Sequence, residues 1–301
     1  MATTKEIKNR ITSVRNTQKI TNAMYLISST KMRKAKAELE KTRPYFEMQE
    51  NEIKRIFQTT INVTSPYFYP KEGRRPAETY AYLVITADKG LAGSYNYNVL
   101  RKLEEEMARH KKLRIYMVGE FGRRYCAKHK IPIEKAFLYT AQNPTFNRAR
   151  EICSILKEEY DEKRVDEIRI IYSDMENELN STVKVQQLLP FERREFWTKN
   201  ENRNERDKNY EFMPSVDEVL NHVIGGYIAG SIYGCLVDSF SAEQNARMNA
   251  MNSANKNAEE LLAQYTKEYN RVRQAAITQE ITEVAAGAKA QKLKKKKKED
   301  K

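Results

Sequence analysis

Between Thr4 and residue 60 the chain contains no glycine, and its only proline is Pro44. A helix can therefore run almost the full stretch with at most one kink, since nothing else there interrupts the backbone ladder. Ile7, Ile11, Val14, Gln18, Thr21, Tyr25, Ser28 and Met32 recur at alternating steps of four and three. That is the spacing of a coiled-coil seam, and here it is only half apolar. So mixed a stripe cannot be stabilised in an ordinary core; it predicts pairing with one partner helix, the other sides facing solvent or other proteins.

A second stretch of this kind closes the chain. From Pro214 to about Ala290 there is no further proline. Early in it, IGGYIAGSIYGCLV runs 14 residues without a charge. A membrane span needs about 20 such residues, so a buried helix is expected and no direct membrane span. Gly226, Gly230 and Gly234 lie four apart, in one row of that helix. Each costs about 1 kcal/mol relative to alanine, which predicts close packing of another backbone against the row. Further on, Ala246, Ala250, Ala254 and Ala258 form a thin stripe, continued by Leu261, Tyr265, Glu268 and Val272. Small residues allow a narrow interhelical distance. The two ends are therefore expected to wind together as an antiparallel coiled coil. A helix from Ser241 to Ala290 would reach about 75 Å, far beyond a compact domain, giving a rod with a foot.

The middle has a different period. After the loop SPYFYPKEGRRP, the runs TYAYLVIT, LRIYMVG, IPIEKAFL, EIRIIYS and TVKVQQLLP have strand length and β-branched or aromatic character. VLRKLEEEMARH, FGRRYCAKHK and FNRAREICSILKEEY between them read as helices. Alternating strand and helix predicts a mostly parallel sheet. The expected fold is thus α/β plus long helices, an antiparallel coiled coil of the N- and C-terminal helices with an inserted α/β domain. Its parts are an N-terminal shaft helix (1–60), an α/β foot (75–210, closed by the polar loop TKNENRNERDKNY), a C-terminal shaft helix (211–290) and a Lys-rich disordered tail (291–301).

Charge narrows the partners. The net charge is +13 among 301 residues. Residues 1–37 hold nine basic side chains, among them Lys8, Arg10, Arg15, Lys19, Lys31, Arg33 and Lys34, against the single acid Glu6. KLKKKKKEDK at the end forms a second cluster. Both clusters fit nucleic acid, anionic lipid or an acidic protein, and both also fit a solvated face or a solubilising tail. Three cysteines without CxxC and only three histidines argue against a disulfide framework or zinc site, and for a reducing compartment. The beginning, MATTKEIKNRITSV, has no apolar signal core, so no cleaved targeting segment is expected.

VITADKGLAGSYN, a strand running into a two-glycine turn, is where a phosphate would sit if the chain bound one. The turn has neither the GxGxxG spacing nor the GK[ST] of a P-loop, and Asp88 would repel an incoming phosphate. No nucleophile triad, metal set or paired carboxylates stand out, so no cofactor is expected.

The stretches IKNRITSVRNTQKITNAMYLISSTKMRKA, VITADKGLAGSYN, FSAEQNARMNAMNSANKNAEELL and YNRVRQAAITQEITEVAAGA together resemble the gamma subunit of F-type ATP synthases, in order and over the chain to about Ala290. The resemblance implies a non-catalytic rotor, its inserted α/β domain of Rossmann-like topology and without bound nucleotide, peripheral on the cytoplasmic face of a bacterial plasma membrane. Its shaft would turn inside three alpha and three beta subunits, and its foot would rest on the membrane c-ring beside the epsilon subunit. Met24 matches a methionine facing the beta lever loop, although here Asn22 and Tyr25 stand where many members have Lys and Glu; from spacing alone it is equally an apolar residue of the seam. Lys89, Leu91 and Ala92 match a turn meeting the same loop. Arg247, Arg273, Gln274, Thr278 and Glu280 match polar positions that hydrogen-bond a beta catch loop. A shaft passing three equivalent positions must bind none strongly, which suits exposed ion pairs of about 0 to 1 kcal/mol each. The lysine tail departs from the family pattern. A nucleic-acid-binding coiled coil and a nucleotide-dependent enzyme remain the readings from other classes; nucleic acid is not among the expected partners.

Overall fold

The computed structural model describes residues 3–59, 65–70, 76–138, 140–175, 181–196 and 211–299. The polar loop expected at 198–210 lies outside the described residues, as do part of the earlier loop (71–75) and the side chains of 290–301. Two long helices bracket the fold: α1 (Thr4–Thr59), with Pro44 in its interior, and α5 (Val216–Glu299). Between them come β1 (Thr79–Ile85), α2 (Tyr95–Arg109), β2 (Lys112–Val118), α3 (Glu120–His129), β3 (Lys135–Phe137), α4 (Phe146–Asp161), β4 (Glu167–Met175) and β5 (Ser181–Leu189). A one-turn helix, Arg193–Phe196, follows β5.

Local chemistry sets the helix starts. At α1 the Glu6 amide donates to Thr3 Oγ1 (3.3 Å) while the Thr3 amide donates to Glu6 Oε2 (2.9 Å), a reciprocal capping box. At α5 the Glu218 amide donates to Ser215 Oγ (3.2 Å), and Asp217 and Glu218 set negative charge in the first turn.

The sheet order is β3-β2-β1-β4-β5, with β4·β5 antiparallel and the other pairs parallel. The strand expected over 131–138 is confined to three residues. Strand alternation divides the core in two. Ala81, Leu83 and Ile85 face one side, packing with α4, the end of α1 (Ile53, Ile56, Phe57) and the start of α5 (Leu220, Ile224, Ile228, Ile232, Leu236). Tyr82 and Val84 face the other, against Val99, Leu100 and Leu103 of α2 and Cys126 of α3. With helices on both faces, β1 reads as the continuous apolar run of a central parallel strand. By length and composition alone α5 is apolar enough to cross a membrane, yet the large side chains of its uncharged stretch are buried in this core.

The chain divides into two compact units, Met1–Leu26 with Met251–Lys301, and Ile27–Ala250. In the first unit α1 and α5 run antiparallel: Gln18 Nε2 donates to Glu259 Oε1 (3.4 Å) and Thr21 bonds Asn255, so the α5 number falls as the α1 number rises. Ile7, Ile11, Val14, Gln18, Thr21 and Tyr25 are all buried or half-buried there, as the heptad steps require. On α5 the stripe departs by one position from the sequence expectation. Leu262 is half-buried while Leu261 is 41% exposed, because the inward row runs Met251, Ala254, Ala258, Leu262, Tyr265. The α5 backbone stays helical through Glu299, past residue 291 where a disordered tail was expected.

Candidate partner-contact site

The turn after β1 lies where the strand order reverses, β2 and β3 on one side of β1 and β4 on the other. Doubly wound sheets bind ligands in that crevice. Here the crevice is filled from within. Asp88 Oδ1 accepts from the Glu120 amide at the start of α3 (2.9 Å), so a carboxylate holds the helix N-terminus that would receive a phosphate. Asn96 Oδ1 accepts from the Ala87 amide (2.9 Å), and Thr86 Oγ1 bonds the Val118 carbonyl (2.8 Å) and the Gly122 amide (3.0 Å). Gly119, at φ +95°, lets the β2–α3 turn cross this point: a Cβ there would stand 2.2 Å from the Thr86 carbonyl oxygen.

The crevice is closed by α5. Ala92 and Tyr95 pack with Ala87 and Ala242, and the Ser173 amide at the end of β4 donates to Ser239 Oγ (3.1 Å). Arg247 donates from Nη2 to the carbonyls of Lys89 (3.4 Å) and Gly90 (3.1 Å) and pairs with Glu243 (2.7 Å). Burial raises the Glu243 carboxyl above its usual range against the pull of Arg247; Asp88 adds to the rise and Lys31 opposes it. The turn itself carries two left-handed residues, Leu91 (φ 61°) and Gly93 (φ 54°). For leucine that conformation costs about 1 kcal/mol, so neighbouring bonds must hold it. What this closed turn offers is a shaped surface for contact.

The expected contact residues fall in two groups. On the turn, Lys89 is exposed and Leu91 is 66% exposed, whereas Ala92 (2%) and Arg247 (8%) are buried within the chain. In the helix pair, Met24 is half-buried, and Arg273, Gln274, Thr278 and Glu280 are exposed. Ile277, Ile281 and Val284 continue the apolar steps of four and three, all exposed. Since Gln18 lies beside Glu259, the start of α1 at Thr4 falls near residue 273 of α5 by about 1.5 Å per residue, and the later residues lie past it. Lys8, Arg10, Arg15, Lys19, Lys31, Arg33 and Lys34 are exposed, and among the described residues none forms an ion pair.

The glycine row is not uniform. A Cβ on Gly226 would meet Gln49 Nε2 at 2.1 Å, and one on Gly230 the Phe46 ring at 2.4 Å, so side chains of α1 press on the row where another backbone was expected. At Gly234 a Cβ would meet nothing within 4 Å. Elsewhere a cleft of about 460 Å³ is lined by Lys102, Glu106, Arg109, His110 and Arg169 among others. Its charges are matched: the buried Glu106 accepts from Tyr82 (2.7 Å) and Arg109 (2.8 Å), and Arg169 pairs with Glu167 (2.7 Å). The cysteines are free and buried, and burial pushes the Cys126 and Cys153 thiols up to about 11. Among the described residues no group of histidines, cysteines and carboxylates could hold a metal ion.

Sequence reasoning noted Asp88 as repelling phosphate and missed that it caps α3. It missed Glu243 and Gly119 altogether. The four-residue spacing of Glu243 and Arg247 was the available signal for their pairing.

Residues 3–291 match the family model described as ATP synthase. The chain is 41% identical over 290 residues to the ATP synthase gamma chain of Ruminiclostridium cellulolyticum, covering 95% of this chain and 98% of that one. It is 34% identical to the gamma chain, sodium ion specific, of Acetobacterium woodii, covering 95% and 97%. Among solved structures, the rotor of the Euglena gracilis mitochondrial ATP synthase matches with a TM-score of 0.63 at 14% identity, over 91% of this chain and 98% of that one. The central stalk and c-ring structure of the Tetrahymena thermophila mitochondrial enzyme contains a chain matching with a TM-score of 0.58 at 24% identity, over 78% and 99%.

Proposed function

The chain belongs to the gamma-chain family of ATP synthases, and we propose that it is the non-catalytic rotor of a proton-translocating F-type enzyme, carrying rotation of a membrane c-ring to catalytic beta subunits. Three alpha and three beta subunits, an epsilon subunit and the c-ring are its partners in this reading. It acts peripherally on the cytoplasmic face of a bacterial plasma membrane.

The observation that carries the proposal is the antiparallel pairing of the first and last helices through a single thin seam. Two helices that bury so little against each other leave most of their perimeter for other proteins. That perimeter is basic on α1 and polar on α5, at Arg273, Gln274, Thr278 and Glu280. A rotor needs such a surface: exposed charges attract acidic loops weakly, at about 0 to 1 kcal/mol per pair, and so guide without locking. Met24, Lys89 and Leu91 are the further side chains we assign to beta contact. The carboxylate of Asp88 at the α3 N-terminus supports a turn built for protein contact in place of nucleotide.

The test is capture of the tagged chain from gently solubilised membranes. Alpha and beta subunits are expected to co-purify at about three each per chain, with the epsilon subunit and the c-ring. Recovery without them would overturn the proposal. Binding to DNA or RNA with a steep salt dependence would instead favour the nucleic-acid reading of the basic helix. In reconstituted vesicles a proton gradient is expected to drive ATP synthesis; synthesis driven only by a sodium gradient would replace the coupling ion and leave the rotor role intact.

A further inference from the structure

We infer that Arg247 is a positioning residue, which holds the 88–93 turn in its presented shape from inside the chain instead of meeting a partner itself. The functional part of this inference rests on the rotor reading; the clamp itself does not.

Arg247 is only 8% exposed, and one nitrogen of its guanidinium, Nη2, meets both Glu243 and the turn. Nη2 pairs with Glu243, one helical turn earlier and 5% exposed, at 2.7 Å. The same Nη2 reaches two consecutive carbonyls, Lys89 (3.4 Å) and Gly90 (3.1 Å), immediately before the left-handed Leu91. A guanidinium suits this task because the two N–H groups of Nη2 are held in fixed directions in its plane, where the hydrogens of an ammonium rotate. The two flanks of the turn are held separately, by Asp88 on the Glu120 amide before it and by Ala92 and Tyr95 against Ala242 after it. Leu91 is thereby kept in a conformation that leucine rarely adopts, with its side chain 66% exposed. Removing Arg247 frees the two carbonyls before Leu91 while leaving Asp88, Ala92 and Tyr95 anchored on either flank. The turn then loses its shape without losing its place.

Hydrogen exchange on the full-length chain tests the clamp. In Arg247→Met, which keeps bulk and removes the donors, amide exchange across residues 88–94 is expected to rise at least about tenfold, while β1 (81–85) and β4 (168–172) stay unchanged. Glu243→Gln, which weakens the anchor, is expected to be intermediate, and Arg247→Lys closer to the unmodified chain. Unchanged exchange at 88–94 overturns the inference, and so does a uniform rise through β1 and β4. Should Arg247→Met fail to fold by circular dichroism, the Glu243→Gln and Arg247→Lys comparison decides in the same way. In complexes assembled with alpha and beta subunits, Arg247→Met is expected to lower ATP synthesis, and Arg247→Lys to restore part of it. Lowered synthesis with unchanged exchange would make Arg247 a direct contact and overturn the clamp. Failure of the unmodified chain to assemble would sink the rotor reading and leave the exchange result standing.

Discussion

At the scale of single residues, Asp238 is, like Glu243, an acid whose ionisation works against the fold. Burial and the neighbouring Asp174 push its carboxyl up to about 6, with Lys36 and Lys184 pulling the other way. An acid whose native value lies above its unfolded one binds more protons folded than unfolded through the interval between them. Stability is therefore full below about pH 4 and falls as pH rises through about 6. Asp238→Asn is expected to flatten that slope and to raise stability at pH 7.5 by about 2 kcal/mol, part of the effect being screened by solvent. Urea denaturation at pH 5 and pH 7.5 measures both. An unaltered slope in the variant would mean that Asp238 is ordinary. Nothing in the sequence disclosed this residue, because its environment is assembled from α1, β4, β5 and α5, elements distant along the chain.

Among the elements, the glycine row of α5 separates three costs that look alike in sequence. Gly234→Ala adds a methyl group into open space, so helix propensity alone acts and stability is expected to rise by about 1 kcal/mol. Gly226→Ala meets the far end of Gln49, a flexible side chain that can swing aside, and is expected to be close to neutral. Gly230→Ala meets Phe46, whose ring is boxed in by Tyr45 (5.6 Å), Phe146 (5.4 Å) and Tyr233 (6.2 Å), and is expected to cost about 1–3 kcal/mol. Denaturation midpoints of the three variants give the ranking; a gain at Gly230 would show that the aromatic box yields. The contrast also marks what was legible. Heptad steps named the α1 seam from Ile7 to Met32, and β-branched and aromatic runs of strand length located the five strands, the third of them reduced to Lys135–Phe137, because local patterns dictate local structure. Which α1 side chain meets which glycine depends on the register between helices nearly 200 residues apart in sequence, and period cannot supply it. The one-position shift from Leu261 to Leu262 has the same origin: a helix of 3.6 residues per turn drifts against a stripe counted in fours and threes.

For the molecule as a whole, the two compact units differ in what holds them. Residues 27–250 contain a sheet covered on both faces, with Leu83, Ile170 and Ile232 fully buried. The unit formed by the two chain ends has one seam, in which Ile7, Met251 and Ala258 are buried while Val14, Gln18 and Thr21 are only partly so. Burying a large apolar side chain is worth about 1.5–3 kcal/mol, and a seam of alanines, threonine and glutamine collects few such contributions. The terminal unit is therefore expected to open at a lower free energy than the sheet: in the free chain, amides of residues 4–26 and 251–289 should exchange well before those of β1 and β4. Partners that bind only the paired helices must add their binding free energy to that opening, so an assembled complex with alpha and beta subunits should slow exchange in 4–26 and 251–289 by at least about tenfold and leave β1 and β4 nearly unchanged. Hydrogen exchange on both samples decides it. Equal protection of the two units in the free chain would show that the thin seam is self-sufficient, and slowing confined to residues 27–250 would place the partner surface on the wrong unit for an axle.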